Sequence, residues 1–548
     1  MALDISEIPD KPFRRTLSFF FVALVLIAPL RAIAPLSWAF VLYTLYTKSI
    51  WSFAWKGRLL FVFALSEVLF SLYHYHLVTV VSAPWKHGTG NIPHLQIAFA
   101  RVLKSGLATL PEDGYDTFGR PGSPSETITQ LERDDPRAID FRNVIRTWFG
   151  RVPWSSIRRV EVQKWLYWSI FNKDLPEAHH MPPDHRAVLD DTLELLEKRL
   201  GTRIAPGSNP RALPMRMTLD KVYVCGRPFF YYAIIFGINC YLRRAYGNKW
   251  NLRHGIYDGL EYLVRVPRDW DPINGPRPIV FLHGLGLGLF QYNYMIRDLQ
   301  HQFPDRPLLV PLQPHVSQNL FHPQFLDPIC RHALADRLVG LMVELGWVDA
   351  VPKDTDDDLS KDAGSETSMR GVTMLSHSNG SYLHAWCLKR YPELISRSCF
   401  VDPVTFCSWE GGKSAYHLFL GSTQPPCQTA VTISSTGPAA RQGIDLLVRY
   451  FVGSELGVAN LLRRHFDWSS NALWYEEIPN ARDPAKTFFL LGGGDEIINA
   501  ERVKKYLTSH GVRKGLWIDP TGLHGQALLS NSAGHKEVMR WLKEEPSD

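Results

Sequence analysis

The residues with the plainest chemical potential surround Ser378. The stretch Val372 to Ser381 reads as an apolar run, then Ser376-His377-Ser378-Asn379-Gly380, then the helical pattern YLHAWCLKRY. A serine hydroxyl becomes an accessible nucleophile where a strained strand-to-helix turn pushes it outward, which leaves room only for small residues two positions either side. Ser376 and Gly380 hold those two places. A serine and a glycine in one turn also occur by chance, so the flanking strand and helix carry the signal. An attacking serine needs a base, and the base needs an orienting group. Thr487-Phe-Phe-Leu-Leu-Gly-Gly-Gly-Asp495 puts a carboxylate just past an apolar run. Trp517-Ile-Asp-Pro-Thr-Gly-Leu-His524 puts an imidazole in a loop after the last such run. Ser, Asp, His is one of the chain orders in which such a triad is assembled. Pro278-Ile-Val-Phe-Leu ends in His283-Gly-Leu-Gly286, a turn able to aim backbone N–H groups at a developing oxyanion. The N–H of Asn379, at the positive end of the following helix, is a second donor.

Rival readings attach to each residue. Ser378 could be a turn residue and nothing more. Asp402, in VDPVTFC, also follows an apolar run and competes with the preferred Asp495. His283 reads as a structural group holding the glycine turn. His377 reads as a packing residue with some prospect of touching substrate. His322 and Asp327 form an H-x-x-x-x-D spacing, but with 20 histidines one such spacing is expected by chance. His179, His180 and His185 lack the spacing and partner of a metal site and read as a loop. Seven cysteines stand singly with no CxxC, so neither zinc nor a disulfide framework is indicated.

The elements that must position this chemistry begin near residue 250. Short apolar runs alternate there with amphipathic helical patterns, which predicts a parallel sheet covered by helices. The expected strands are Glu261–Val266, Pro278–Leu282, Pro307–Val310, Gly371–Leu375, Ser398–Val401, Thr487–Leu491 and Gly515–Ile518. Expected helices include Tyr292–Gln302, Cys330–Leu345, Gly380–Tyr391 and Ala500–Ser509. The acidic run 353–368 reads as a disordered surface insertion. Residues 405–480 leave the sheet pattern and are rich in aromatics, Trp409, Trp468 and Trp474 among them. They are expected to form a lid that excludes water and shapes an apolar pocket.

On HGLG, SHSNG, GGGDEI and GLHG, the chain over about 250 to 535 resembles the α/β-hydrolase fold family. The resemblance implies Ser378 as nucleophile, His524 as general base and acid, and Asp495 as the group that orients the imidazole. It implies Leu285, Gly286 and Asn379 as the oxyanion donors, and no metal or organic cofactor. Ser376 departs from the glycine usual at that place. The N-terminal half resembles that of membrane-attached, fungal-type hydrolases, a likeness that carries no substrate.

That half has its own signature. Leu17 to Tyr46 is apolar but broken by Arg31 between Pro29 and Pro35, so it reads as one kinked span or as a hairpin. Leu59 to Val81 is long enough to span with tilt and carries Glu67, His74 and His76, for which interfacial histidines are preferred to a proton relay. Ala32-Ile33-Ala34 mimics a cleavage site. The acidic tail before it, Pro35 after it and the second apolar stretch favour a retained anchor. The organisation read from the sequence is a tail (1–15), an anchor (16–82), a helical linker or interfacial region (83–245), the α/β-hydrolase domain (246–535) and a C-terminal tail (536–548). Within 83–245, the stretch Phe141 to Leu175 is rich in tryptophan, and Trp165, Leu166, Trp168, Ile170 and Phe171 in it suit a helix packed on the main domain in preference to a membrane-surface helix. Pro228–Leu242 is either buried or lies in the membrane surface. A net charge of +6 with no basic-aromatic module excludes nucleic acid as a partner. The expected partners are the lipid bilayer and a hydrophobic ester. The expected place is integral to a membrane, endoplasmic reticulum or lipid droplet. The function expected is a serine hydrolase of a lipid acyl ester, with acyl transfer or a non-catalytic lipid-binding role as alternatives.

Overall fold

The computed structural model describes residues 4–9, 15–84, 92–105, 128–349, 370–410 and 442–546. The acidic run 353–368 and the central part of the expected lid, 411–441, lie outside the described residues.

Eight strands form one sheet in the order β1-β2-β4-β3-β5-β6-β7-β8. They are β1 (Arg253–Tyr257), β2 (Leu260–Arg265), β3 (Ile279–Leu282), β4 (Leu308–Pro311), β5 (Val372–His377), β6 (Ile395–Val401), β7 (Thr487–Gly492) and β8 (Leu516–Asp519). Only the pairs β1 with β2 and β2 with β4 are antiparallel; from β4 across to β8 every pair is parallel. β3, β5 and β7 are buried along their whole length. This is why they read as continuous apolar runs instead of alternating ones. Side chains still sort by the period of two: Val280, Leu282, Met374, Phe400 and Phe489 join one core, while Ile279, Phe281, Leu375, Cys399 and Phe488 join the other.

Among the described residues, the helices of eight or more residues are α1 (Leu17–Tyr46), α2 (Trp55–Ser82), α3 (Ile92–Lys104), α4 (Pro136–Ile145), α5 (Arg159–Phe171), α6 (Pro183–Leu200), α7 (Phe229–Trp250), α8 (Leu289–Gln302), α9 (Arg331–Glu344), α10 (Gly380–Arg390), α11 (Leu456–Arg464), α12 (Ala500–Ser509) and α13 (Ala533–Lys543). α9, α10 and α12 cover one face of the sheet, and α8, α13 and the end of α7 cover the other. The chain has the α/β-hydrolase fold.

Three expectations are corrected. The segment 536–548 is not a tail. α13 buries Val538, Met539, Trp541 and Leu542 against the sheet, and Arg397 bonds to the carbonyls of Trp541 and Glu544. The described part of the region 83–245 is not a linker, because α3 to α6 share one continuous core with the sheet. Trp165 and Trp168 are buried in it, as the packing alternative required. The apolar stretch at 228–242 continues to Trp250 as the 22-residue α7, which buries Tyr232, Ile235 and Tyr246 yet leaves Ile234 and Tyr241 exposed.

α1 and α2 are both long and apolar enough to cross a membrane, with mean hydropathies of 2.3 and 1.3 in their most apolar windows. Only 22% and 33% of those windows is buried, so most of their apolar side chains face outward. α1 is one continuous helix, not a hairpin. It passes through a wider π turn at Val22–Ile27 and accommodates Pro35.

Candidate active site

Every group with chemistry sits where a strand ends at the same edge of the sheet, the edge at which parallel sheets place their ligands. Ser378 follows β5. Its φ of 50° lies in the left-handed region, and its N–H donates to Val401 O at 3.1 Å. A non-glycine residue held there marks a turn fixed by its surroundings. The turn tolerates no bulk at Gly380, where a Cβ would lie 2.2 Å from Leu282 O. Ser376 departs from glycine because its hydroxyl has a partner. It bonds to His384 Nδ1 at 2.9 Å, and His384 Nε2 bonds to Ser398 Oγ at 3.0 Å. Burial pulls the His384 imidazole down to about 3, so it sits neutral between two hydroxyls.

The three residues far apart in sequence meet. His524 Nε2 lies 2.8 Å from Ser378 Oγ, and His524 Nδ1 lies 2.6 Å from Asp495 Oδ2. The other carboxylate oxygen of Asp495 accepts the N–H groups of Ile497 (2.6 Å) and Ile498 (3.0 Å), which fixes the acid's orientation. Burial opposes a charged His524, but the Asp495 charge and hydrogen bond, joined by the Asp402 charge, hold the imidazole above its ordinary value. Asp402, the rival acid, does not bond to His524. Its two oxygens accept the N–H groups of Gly492 (2.8 Å) and Gly525 (2.7 Å), joining the end of β7 to the loop that carries His524. Ligand atoms of Asp402, Asp495 and His524 lie within 4.8 Å of one another. Burial, with the Asp495 charge, raises the Asp402 carboxyl to about 6.

The turn after β3 is held peptide by peptide. The N–H of Gly284 donates to Tyr292 Oη at 2.9 Å, that of Gly286 to Val316 O at 2.9 Å, and that of Leu287 to Gln291 Oε1 at 3.1 Å. Between Gly284 and Leu287 only the N–H of Leu285 has no acceptor among the described residues; the N–H of Asn379 likewise has none. Both residues line the cavity at Ser378. Gly286 is therefore corrected: its N–H is taken by Val316. His283 Nδ1 bonds to Gly284 O at 3.0 Å, the structural role expected of it. His377 bonds through Nδ1 to Tyr292 Oη at 2.9 Å and also borders the cavity. Burial holds it neutral, its pKa well below the ordinary value. Tyr292 and Gln291 were missed from the sequence, where only their position one turn past the glycines marks them.

The cavity measures about 590 Å³. Beyond Ser378 its wall is mostly apolar, with Val448, Val452, Leu462 and Phe466 from the described end of the expected lid and Trp148 and Met217 from the N-terminal helical region; Ser408, Glu410 and Asn499 also border it. The tryptophans of the expected lid do not line it. Trp409 stacks on Trp474 with centroids 4.6 Å apart, and Trp468 Nε1 donates to Ser169 O at 3.0 Å. They join the insertion to the helical layer instead.

No family model matches the chain, and no curated protein matches it. Among solved structures it is similar to a membrane phospholipase A described as a bacterial virulence factor (14% identity, TM-score 0.33, covering 57% of this chain and 92% of that one). It is also similar to naproxen esterase from Bacillus subtilis (14% identity, TM-score 0.34, 57% of this chain and 97% of that one). A third is esterase E25 (13% identity, TM-score 0.35, 59% of this chain and 88% of that one). Likenesses this distant carry no argument about activity, which is drawn from the site itself.

Proposed function

We propose that the protein is a membrane-anchored serine hydrolase that cleaves a carboxylic ester, an acyl ester of a lipid. The observation that carries this reading is the continuous line from Ser378 Oγ to His524 (2.8 Å) and from His524 to Asp495 (2.6 Å), beside an apolar cavity.

The chemistry follows from the geometry. Ser378 Oγ attacks the ester carbonyl carbon while His524 Nε2 takes its proton. The carbonyl oxygen becomes an oxyanion, and the N–H groups of Leu285 and Asn379 are the free donors to meet it. His524 then protonates the departing alkoxide, leaving an acyl group on Ser378. A water molecule loses its proton to His524, attacks the acyl carbon, and Ser378 recovers its proton as the acid leaves. Asp495 stabilises the imidazolium at both stages. The apolar wall suits an acyl chain, and two outward-facing apolar helices suit a substrate supplied by a bilayer.

A fluorophosphonate probe tests the reading. Wild-type protein should label at Ser378, and Ser378→Ala should not. Equal labelling of both removes Ser378 from its role, and labelling of neither favours a non-catalytic lipid-binding protein. Product analysis with a labelled acyl ester, with and without added alcohol, separates hydrolysis from acyl transfer.

A further inference from the structure

We infer that the second membrane helix is part of the scaffold of the oxyanion turn, connected to it by Glu67, α7 and Asn239. The inference rests on the reading of Leu285 N–H as an oxyanion donor.

Glu67 lies in the middle of α2 and is fully buried. Both of its oxygens are occupied by the first turn of α7: Oε2 accepts from Phe229 N at 2.7 Å and Oε1 from Phe230 N at 3.0 Å. These N–H groups have no partner inside their own helix, and an acid there also faces the positive end of the helix dipole. A carboxylate at membrane depth is costly without such partners. The capping therefore fixes where α7 starts relative to α2. Phe70 reinforces the joint, its ring centroid 5.5 Å from that of Phe229 and 5.7 Å from that of Tyr232.

Ten residues further along, about 15 Å at the helical rise, α7 presents Asn239 to the oxyanion turn. Asn239 Nδ2 donates to Leu287 O at 3.0 Å, and Oδ1 accepts from Phe290 N at 3.1 Å. Both partners are backbone groups, one an acceptor and one a donor, so only one orientation of the amide satisfies them. A Cβ at Gly288 would come within 3.3 Å of Asn239 Oδ1, so the side chain sits hard against the turn. No other side chain holds the Leu287 carbonyl among the described residues, and Leu287 is two residues from the free N–H of Leu285. A helix is a stiff spacer, so a shift of α2 at Glu67 reaches Leu285 through α7. Glu67 thus does structural work that a proton relay with His74 and His76 would preclude, because both of its oxygens are engaged. Asn239 and Glu67 are positioning residues, not catalytic ones.

The test uses the full-length chain in detergent or vesicles. Its variants are Asn239→Leu, Asn239→Asp, Glu67→Leu and the double variant Glu67→Leu/Asn239→Leu. Rates are measured with a p-nitrophenyl ester and with the fluorophosphonate probe, and Tm is measured alongside. Asn239→Leu should lower kcat by about tenfold to a hundredfold, the effect of a misplaced oxyanion donor, with KM within about twofold. Asn239→Asp keeps the acceptor for Phe290 but loses the donor to Leu287, and should fall as far as Asn239→Leu. The double variant should be no slower than the slower single variant, because both changes release the same element. An Asn239→Leu protein with unchanged kcat, or one with raised KM and unchanged kcat, overturns the inference. So does a double variant whose loss is the product of the two single losses. If Glu67→Leu fails to fold, the two Asn239 variants still decide the matter at the oxyanion turn. A wild type that the probe ignores overturns the hydrolase reading and this inference with it. A labelled wild type with an indifferent Asn239 overturns this inference alone.

Discussion

At the scale of single residues, two buried carboxylates share one imidazole's neighbourhood and do different things. Asp495 bonds to His524 Nδ1, whereas Asp402 bonds only to backbone N–H groups of the two flanking segments. Asp495→Asn should leave the fold intact and lower kcat by about 10³ to 10⁴, since an amide selects the wrong tautomer of the base. Asp402→Asn should lower it far less, by about tenfold, because one of the two N–H bonds survives. The pH profile reads the Asp402 charge as well. The base works only when His524 is neutral, and the nearby acids hold its pKa above the ordinary value. The acid limb of kcat/KM should thus lie above the ordinary imidazole midpoint. Removing the Asp402 charge lowers the His524 pKa, so the acid limb of Asp402→Asn should move to lower pH. A limb that moves upward or stays fixed contradicts this electrostatic role. Ser378, Asp495 and His524 were legible in the sequence because each stands just past an apolar run and the three follow one of the triad orders. Asp402 satisfied the same local criterion. Only the pairing of β6 with β7 and the path of the His524 loop separate the two acids.

At the scale of elements, the turn from β5 into α10 shows how one departure from a pattern is absorbed. Ser376 stands where the resemblance implies glycine, and its hydroxyl fills a hydrogen-bonding position between β5 and α10 through His384. Ser376→Gly should therefore destabilise the protein by about 1–3 kcal/mol, the cost of leaving the buried His384 Nδ1 without a partner. It should retain probe labelling, because the glycine still fits the turn. Denaturant midpoints read the first effect and fluorophosphonate labelling the second. Unchanged stability would mean that the hydroxyl contributes nothing to the joint. Most of the buried strands were legible within a residue or two because parallel strands covered on both faces are largely apolar; β6 was not, as it begins three residues before the expected Ser398, where Ser396 and Arg397 break the apolar run. β1 was not, since Arg253–Tyr257 is an exposed edge strand with a single aliphatic residue, Ile256. α13 carried a helical spacing at Val538, Trp541 and Leu542. The domain boundary expected at residue 535 falls inside this helix.

At the scale of the whole molecule, the question is whether the N-terminal helices merely tether the α/β domain or complete it. The end of α2 is gripped by the α/β domain. Arg464 of α11, almost wholly buried, donates to Val81 O at 2.8 Å and Ser82 O at 3.0 Å. Phe70 and Val81 of α2 share a core with Val222, Tyr232, Leu320, Phe325 and Leu456. α1 meets the insertion closely enough that Gly443 N donates to Ser18 Oγ at 3.1 Å, with no room for a Cβ at Gly443. None of this was legible in the sequence, because hydropathy registers that a helix is apolar and not which side of it faces protein. A tether could be cut without consequence for the domain. Removing residues 1–84 should instead take two carbonyl acceptors from Arg464, at about 1.5–3 kcal/mol for each hydrogen bond to a charged group. It would also uncap α7 and expose the apolar surface that α2 covers. The truncated chain should aggregate or melt well below the full-length protein, and probe labelling of Ser378 should be lost or greatly slowed. Thermal unfolding and labelling of the two chains at matched detergent check this. A truncated chain that labels at the full-length rate with the same Tm would show the helices to be a tether, and would remove Glu67 from any part in holding the oxyanion turn.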